Sequence, residues 1–240
     1  MTEYSIPFTP KTDQVDNYHG TLVPDPYRWL EDVDAPKTLE WIRAQNALTF
    51  DYLERIPARN HLRKRLAALW DYARAQSPQQ YGGRYFHLRN SGLQNQDVLV
   101  VFESLEDEAR LLLDPNTLSE DGTVALNSWS VSPNGRWLAY AVSASGSDWQ
   151  TWRVRDVDRG EDLPDQIAWS KFSGAELQPD SGGFYYGRYA APQPGQEYQG
   201  VNYYQKLYFH HLGDLQENDR LVYERPDQKE WGFSPHATED

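Results

Sequence analysis

Serine hydrolysis is the first chemistry to consider, because the chain lacks cysteine but contains serines, six histidines and 36 acidic residues. An α/β-hydrolase exposes its nucleophile in a G-x-S-x-G turn, and a triad adds a base and an orienting carboxylate within reach. The nearest approaches to that turn are Gly146–Ser147 and Ser91–Gly92, and neither fits. We therefore predict no catalytic residue in this chain.

The histidines do not form a metal-binding pattern. Only His210 and His211 are adjacent, and on a strand their side chains point to opposite faces. The segment from Asp114 resembles an EF-hand loop only at its first and third positions, since Leu118 stands at a ligand position and Ala125 replaces the bidentate glutamate. A phosphate-binding loop is also absent from the sequence. We predict neither a metal nor a cofactor.

The net charge of -13 argues against two classes of partner. An acidic protein repels phosphate backbones and anionic lipid headgroups, so we predict binding to neither nucleic acid nor membranes. No apolar run approaches the roughly 20 residues that span a bilayer, and the N-terminal sequence MTEYSIPFTPKTDQ does not resemble a signal peptide. The expected location is the cytoplasm, with the periplasm as an alternative because periplasmic proteins can also lack cysteine.

Residues 1–72 are expected to form a first domain, in which two helices follow an irregular, proline-rich arm. Asp34 is the expected N-cap of the first helix, and Pro57 ends it. Apolar residues recur at helical spacing in two runs, Trp41, Ala44, Leu48 and Tyr52 in the first and Leu62, Leu66, Leu69 and Trp70 in the second. Both apolar stripes require another surface to pack against.

Residues 78–240 are expected to form a second domain of short strands, in which one turn phrase recurs. SVSPNGRWLAY at 130–140 is followed by LQPDSGGFYYG at 177–187 and FSPHATED at 233–240. Two registers repeat about every 50 residues, a glycine register at Gly83, Gly135 and Gly183 and a glutamine register at Gln96, Gln150 and Gln205. Such a period is typical of four-stranded propeller blades, and the alternative is a β-sandwich with chance similarities.

The length of this domain accommodates about three blades, and a closed propeller has roughly four to eight. The last copy of the turn phrase, FSPHATED at 233–240, then marks the start of a further blade. We therefore predict a mainly β fold with about three blades of an incomplete propeller, and we expect the chain to be a fragment of a longer protein.

Several stretches resemble, in order, the N-terminal part of the prolyl oligopeptidase family of serine peptidases. They are YHGTLVPDPYRWLED, SGLQNQDVLVVFESL, LLLDPNTLSEDGTVAL, SASGSDW, KFS and QKLYFHHLG. The resemblance implies a seven-bladed β-propeller on an α/β-hydrolase domain, against which the N-terminal helices pack. It also implies an endopeptidase that cleaves short peptides after proline. The propeller would restrict substrate access, and the triad would lie in a C-terminal half that this chain lacks.

On this interpretation the partners are proline-containing peptides and the missing hydrolase domain, and the chain alone is inactive. Two other interpretations stay open. One is a non-enzymatic binding protein built on propeller blades, and the other is a different peptidase of the same superfamily.

The resemblance assigns roles to two residues. Phe172 in KFSG matches a phenylalanine that lines the substrate pocket from the propeller side, and the alternative is a blade core residue. Asp148 in SGSDW matches a loop that faces the hydrolase domain, where its carboxylate would pair with a basic residue, and the alternative is a solvated turn residue. The sequence departs from the family pattern at Gly232, where family members bring a methionine to the substrate pocket. No pocket wall is therefore predicted at this position.

Overall fold

The computed structural model describes residues 5–193, 195, 197–198 and 200–238. It divides into two compact units, Met1–Leu69 and Trp70–Asp240. Among the described residues, none of the helices is long and apolar enough to cross a membrane.

The first unit contains a hairpin and the two predicted helices. Strands β1 (Val15–Tyr18) and β2 (Thr21–Pro24) pair antiparallel, and helices α1 and α2 span Pro36–Glu54 and Arg59–Trp70. The predicted N-cap, Asp34, is wrong because the capping position is Ala35. Proline excludes its preceding residue from the helical region, so Ala35 stays extended and the helix starts one residue later than expected.

Two tryptophans tie the N-terminal arm to α1. Trp29 and Trp41 meet edge to face, with ring centroids 6.4 Å apart. The Trp29 indole N–H donates to the Pro10 carbonyl oxygen and that of Trp41 donates to the Thr9 hydroxyl oxygen, both at 2.9 Å. The apolar stripe of α2 differs, since its three leucines remain more than half exposed: Leu62, Leu66 and Leu69.

The second unit consists of three antiparallel sheets that follow one another along the chain. The first contains β3 (Arg74–Ala75), β4 (Gln79–Tyr81), β5 (Arg84–Asn90), β6 (Val98–Phe102) and β7 (Arg110–Leu113). The second contains β8 (Val124–Val131), β9 (Trp137–Ala144), β10 (Gln150–Asp156) and β11 (Glu161–Ser170). The third contains β12 (Ala175–Leu177), β13 (Gly183–Arg188), β14 (Lys206–His211) and β15 (Arg220–Tyr223).

The first sheet is also four strands wide. Strands β3 and β4 pair with the same edge of β5 and act as one strand interrupted before Pro78, whose ring nitrogen cannot donate to the ladder. This sheet begins at Arg74, before the predicted start at residue 78. Three four-stranded sheets confirm the predicted blades, whereas no strand forms within residues 224–238.

The glutamine register marks a structural repeat, because each glutamine lies within two residues of the first residue of the third strand of its sheet, β6, β10 or β14. The glycine register fails in the third sheet. Gly135 occupies a turn at φ 72°, but the equivalent turn residue is Ser181 at φ 58°. In both turns a backbone N–H donates over 2.8 Å to the carbonyl oxygen three residues earlier. Gly183 lies instead in β13.

Two apolar clusters hold the sheets together. One joins the first and second sheets, and its fully buried members include Phe86, Leu99, Leu138 and Tyr140. The other joins the second and third sheets, and its fully buried members include Trp152, Ile167, Phe184 and Tyr186. Packing between successive sheets therefore fixes where their connecting loops lie.

Candidate functional site

The two predicted site residues lie at the same end of the second sheet. Strand direction alternates in an antiparallel sheet, so β9 and β11 finish at one end, where 145–149 and 171–174 connect them to the following strands. Asp148 lies in the first connection and Phe172 in the second. We call this end, with the β13–β14 connection and the segment after β15, the loop edge.

Phe172 is turned outward at the loop edge. Its side chain is 61% exposed, whereas the flanking Lys171 and Ser173 are 7% and 8% exposed. The alternative interpretation as a blade core residue therefore does not hold. Its backbone has φ 53°, a left-handed conformation that costs a non-glycine residue about 1–3 kcal/mol and recurs at functional sites.

Hydrogen bonds on both sides hold Phe172 in this conformation. The Gln205 side-chain amide donates to the Lys171 carbonyl oxygen over 3.1 Å. The Gly187 backbone N–H donates to the Ser173 hydroxyl oxygen over 2.7 Å. The Phe172 ring is thus presented on a fixed backbone, which reduces the entropy that a ligand contact must overcome.

Gln205 also connects this loop to the segment that contains Gly232. Its side-chain oxygen accepts a hydrogen bond from the Phe233 backbone N–H over 2.5 Å. A Cβ atom added at Gly232 would meet that same oxygen at 3.4 Å, which is ordinary contact. Sequence reasoning noticed Gln205 only as a repeat marker and did not identify it as the residue that positions two candidate pocket segments.

Lys171, the residue before Phe172, belongs to an aromatic and cationic cluster. The Lys171 ammonium is 3.9 Å from the ring centroid of Trp149, which meets Trp169 edge to face at 5.5 Å. Burial lowers the pKa of Lys171, and the nearby Asp148 carboxylate opposes that shift. The exposed Asp148 side chain has no hydrogen bond or ion pair to any other described residue, so it can accept a basic partner.

His210 has a structural role in the third sheet. The two ring nitrogens of the fully buried His210 lie 2.9 Å and 2.7 Å from carboxylate oxygens of Asp165 and Asp219. Burial lowers the pKa of His210, but these two carboxylates outweigh burial and raise it to about 9. With both nitrogens occupied, this imidazole is not a base for a serine nucleophile. His211 is exposed, as expected for the opposite face.

The described residues do not contain a cluster of three or more His, Asp or Glu side chains arranged to hold a metal. The loop edge combines an exposed aromatic ring with an exposed carboxylate and a buried cation, groups suited to contact and orientation.

The family profile described as "Prolyl oligopeptidase, N-terminal beta-propeller domain" matches residues 7–240. A prolyl endopeptidase of Elizabethkingia meningoseptica is 38% identical over 90% of this chain and 30% of its own length. Prolyl oligopeptidase A of Galerina marginata is 35% identical over 96% of this chain and 35% of its own length.

Among solved structures, prolyl oligopeptidase B from Galerina marginata bound to a 25mer macrocyclization substrate matches with a TM-score of 0.82. It is 30% identical, over 98% of this chain and 36% of that one. The chain thus spans about a third of the length of these relatives.

Proposed function

Because the chain belongs to the prolyl oligopeptidase family, whose N-terminal β-propeller domain it matches, we propose that it is the propeller part of a serine endopeptidase that cleaves short peptides after proline. In this proposal the blades restrict access to peptide-sized substrates. The relatives named prolyl endopeptidase support this proposal.

The observation that carries this proposal is the presentation of Phe172. An aromatic ring that is 61% exposed on a strained, doubly hydrogen-bonded loop suits contact with an apolar substrate residue. Phe172 then forms one wall of the substrate pocket, on the acyl side of the scissile bond. Gln205 acts as a positioning residue because it holds the backbone beside that ring.

The catalytic chemistry is assigned to a hydrolase domain outside this sequence. Hydrolysis requires an activated nucleophile, a base and an oxyanion hole near the reacting carbonyl, and this chain has no G-x-S-x-G motif. We assign the contact with that domain to Asp148, whose exposed carboxylate would pair with a basic residue. The helices of residues 1–72 would contribute their exposed leucines to the same domain.

The first experiment compares this chain with a longer one that adds a family hydrolase domain. A Gly-Pro chromogenic peptide should be cleaved by the longer chain and not by the 240 residues alone. Turnover by the short chain that survives repurification and is abolished by a serine-directed phosphonate would contradict the proposal. A longer chain that folds, binds the peptide and cleaves nothing would favour the non-enzymatic binding protein.

The second experiment tests Phe172 in the active, longer chain. Phe172→Ala should raise KM more than it lowers kcat, because a pocket wall binds the ground state and the transition state about equally. Leu215→Ala is the matched control, since that apolar side chain is 67% exposed in the β14–β15 connection at the opposite end of its sheet. Unchanged KM in Phe172→Ala would remove this residue from the pocket.

The proposal includes a cytoplasmic location. Fractionation of cells with an antibody against this chain should place the protein with cytoplasmic markers. Recovery with periplasmic markers would contradict this part of the proposal and leave the enzymatic part intact.

A further inference from the structure

Arg153 is a half-buried arginine without a hydrogen-bond acceptor among the described residues. Its Nε atom is shielded from solvent and has no hydrogen-bond partner, and the guanidinium forms no ion pair with another described residue. Arg155, two positions along β10, binds the Asp162 carboxylate and the Leu112 carbonyl oxygen, both at 2.7 Å. The same strand thus contains one neutralised guanidinium and one free guanidinium.

Arg153 lines a cavity of about 450 Å³. Its lining includes three aromatic side chains, Trp149, Trp169 and Tyr198, three uncharged polar side chains, Ser147, Thr151 and Gln166, and several aliphatic side chains. The Trp149 indole N–H donates to the Glu197 carbonyl oxygen over 2.7 Å, which fixes one wall. A fixed aromatic wall beside an unpaired cation is an arrangement that favours a ligand.

From these observations we infer that this cavity binds a carboxylate attached to an aromatic or apolar group. Guanidinium and carboxylate match in a bidentate geometry, and the indole rings provide stacking surface for the attached group. Phe172 does not line this cavity, and the inferred carboxylate contact does not depend on the proposed peptidase activity.

Charge favours a carboxylate over a phosphate. Arg153 is the single cation among the lining residues, and Glu197 also lines the cavity. The net charge of -13 further disfavours a dianion. A monovalent carboxylate is neutralised by one guanidinium, whereas phosphate sites usually gather several donors.

Two sources share this chemistry, the C-terminal residue of a peptide and a free small organic acid. The experiment uses the 240-residue chain, with calorimetry and tryptophan fluorescence as readouts because Trp149 and Trp169 line the cavity. The probes are N-acetyl-L-phenylalanine, its amide, a tripeptide that ends in phenylalanine, and inorganic phosphate. Tighter binding of the tripeptide assigns the site to peptide termini, and equal binding assigns it to small acids.

N-acetyl-L-phenylalanine should bind about tenfold or more tightly than its amide. Arg153→Gln should weaken binding of the acid by a similar factor, because a charge-assisted hydrogen bond is lost. Arg153→Lys retains the charge and should bind the carboxylate better than Arg153→Gln does. The lysine variant keeps the test valid if Arg153→Gln unfolds. Arg159→Gln removes an exposed arginine from the following turn and should bind like the original chain.

Three results with the original chain would overturn the inference. They are equal affinity for the acid and its amide, phosphate binding more tightly than the carboxylate, and no binding by any probe. Equal weakening by Arg159→Gln and Arg153→Gln would also overturn it, because net charge would then explain the effect.

Discussion

Gln205 and Lys171 are joined by a hydrogen bond of 3.1 Å between the buried side-chain amide of the glutamine and the backbone carbonyl oxygen of the lysine. Gln96 makes the comparable contact two repeats earlier. It donates to the Val124 carbonyl oxygen over 2.7 Å and accepts from the Leu126 N–H over 3.0 Å. These glutamines replace backbone partners that sheet pairing cannot supply between successive blades.

Gln205→Ala should lower the free energy of unfolding by about 2 kcal/mol, because two buried backbone groups lose their hydrogen-bond partner. Urea denaturation measures this change. Gln80→Ala removes an exposed glutamine and should change the midpoint little. Equal effects of the two substitutions would show that the bridge at Gln205 contributes no net stability.

The buried contacts of His210 with Asp165 and Asp219 predict a free energy of unfolding that depends on pH. The pKa of His210 is raised from 6.5 to about 9 in the folded state, so its contribution is full below pH 6.5 and is lost as the pH rises toward 9. The loss should be about 3 kcal/mol. Asp165, whose pKa is lowered despite burial, contributes above its ordinary pKa and loses that contribution in acid.

Urea denaturation at pH 6.5 and pH 9 tests this dependence. The difference in unfolding free energy should be much smaller for His210→Gln than for the original chain. His211→Gln changes the exposed neighbour and should retain the full difference. If His210→Gln left the difference between pH 6.5 and pH 9 unchanged, other groups would be responsible for the pH dependence.

Gly183→Ala should destabilise the third sheet by about 1–3 kcal/mol through overpacking. An added Cβ would lie 2.2 Å from the His210 carbonyl oxygen and 2.5 Å from the Phe209 ring. Gly174→Ala is the control, since nothing lies within 4 Å of its added Cβ. Thermal midpoints compare the two variants, and a drop for Gly174→Ala as large as that for Gly183→Ala would contradict the steric explanation.

Phe172→Gly should stabilise the chain relative to Phe172→Ala by about 1 kcal/mol, because glycine accepts the left-handed backbone at φ 53°. In the longer, active chain both variants should raise KM alike, since both lack the ring. A glycine variant that is less stable than the alanine variant would show that the loop changes its backbone when the ring is removed.

The sequence predicted the elements well because their signals are local. Helical spacing around Trp41 and Leu62 identified α1 and α2, and the repeated glutamines identified equivalent strands. The errors also have local causes. Pro36 moved the helix start past Asp34. Gly183 is not equivalent to Gly135 in its turn, because Gly183 lies in β13, where tight packing against β14 explains its glycine.

By itself, the sequence determined the blade repeat, the absence of a nucleophile elbow and the loops that contain Asp148 and Phe172. Only the tertiary structure decided that those loops share one end and that Phe172 is exposed. It also decided that, among the described residues, Arg155 has a partner and Arg153 has none. Strand patterns specify which residues alternate along a sheet. Which side chains meet across successive sheets depends on how the sheets pack, and residues far apart in sequence determine that packing.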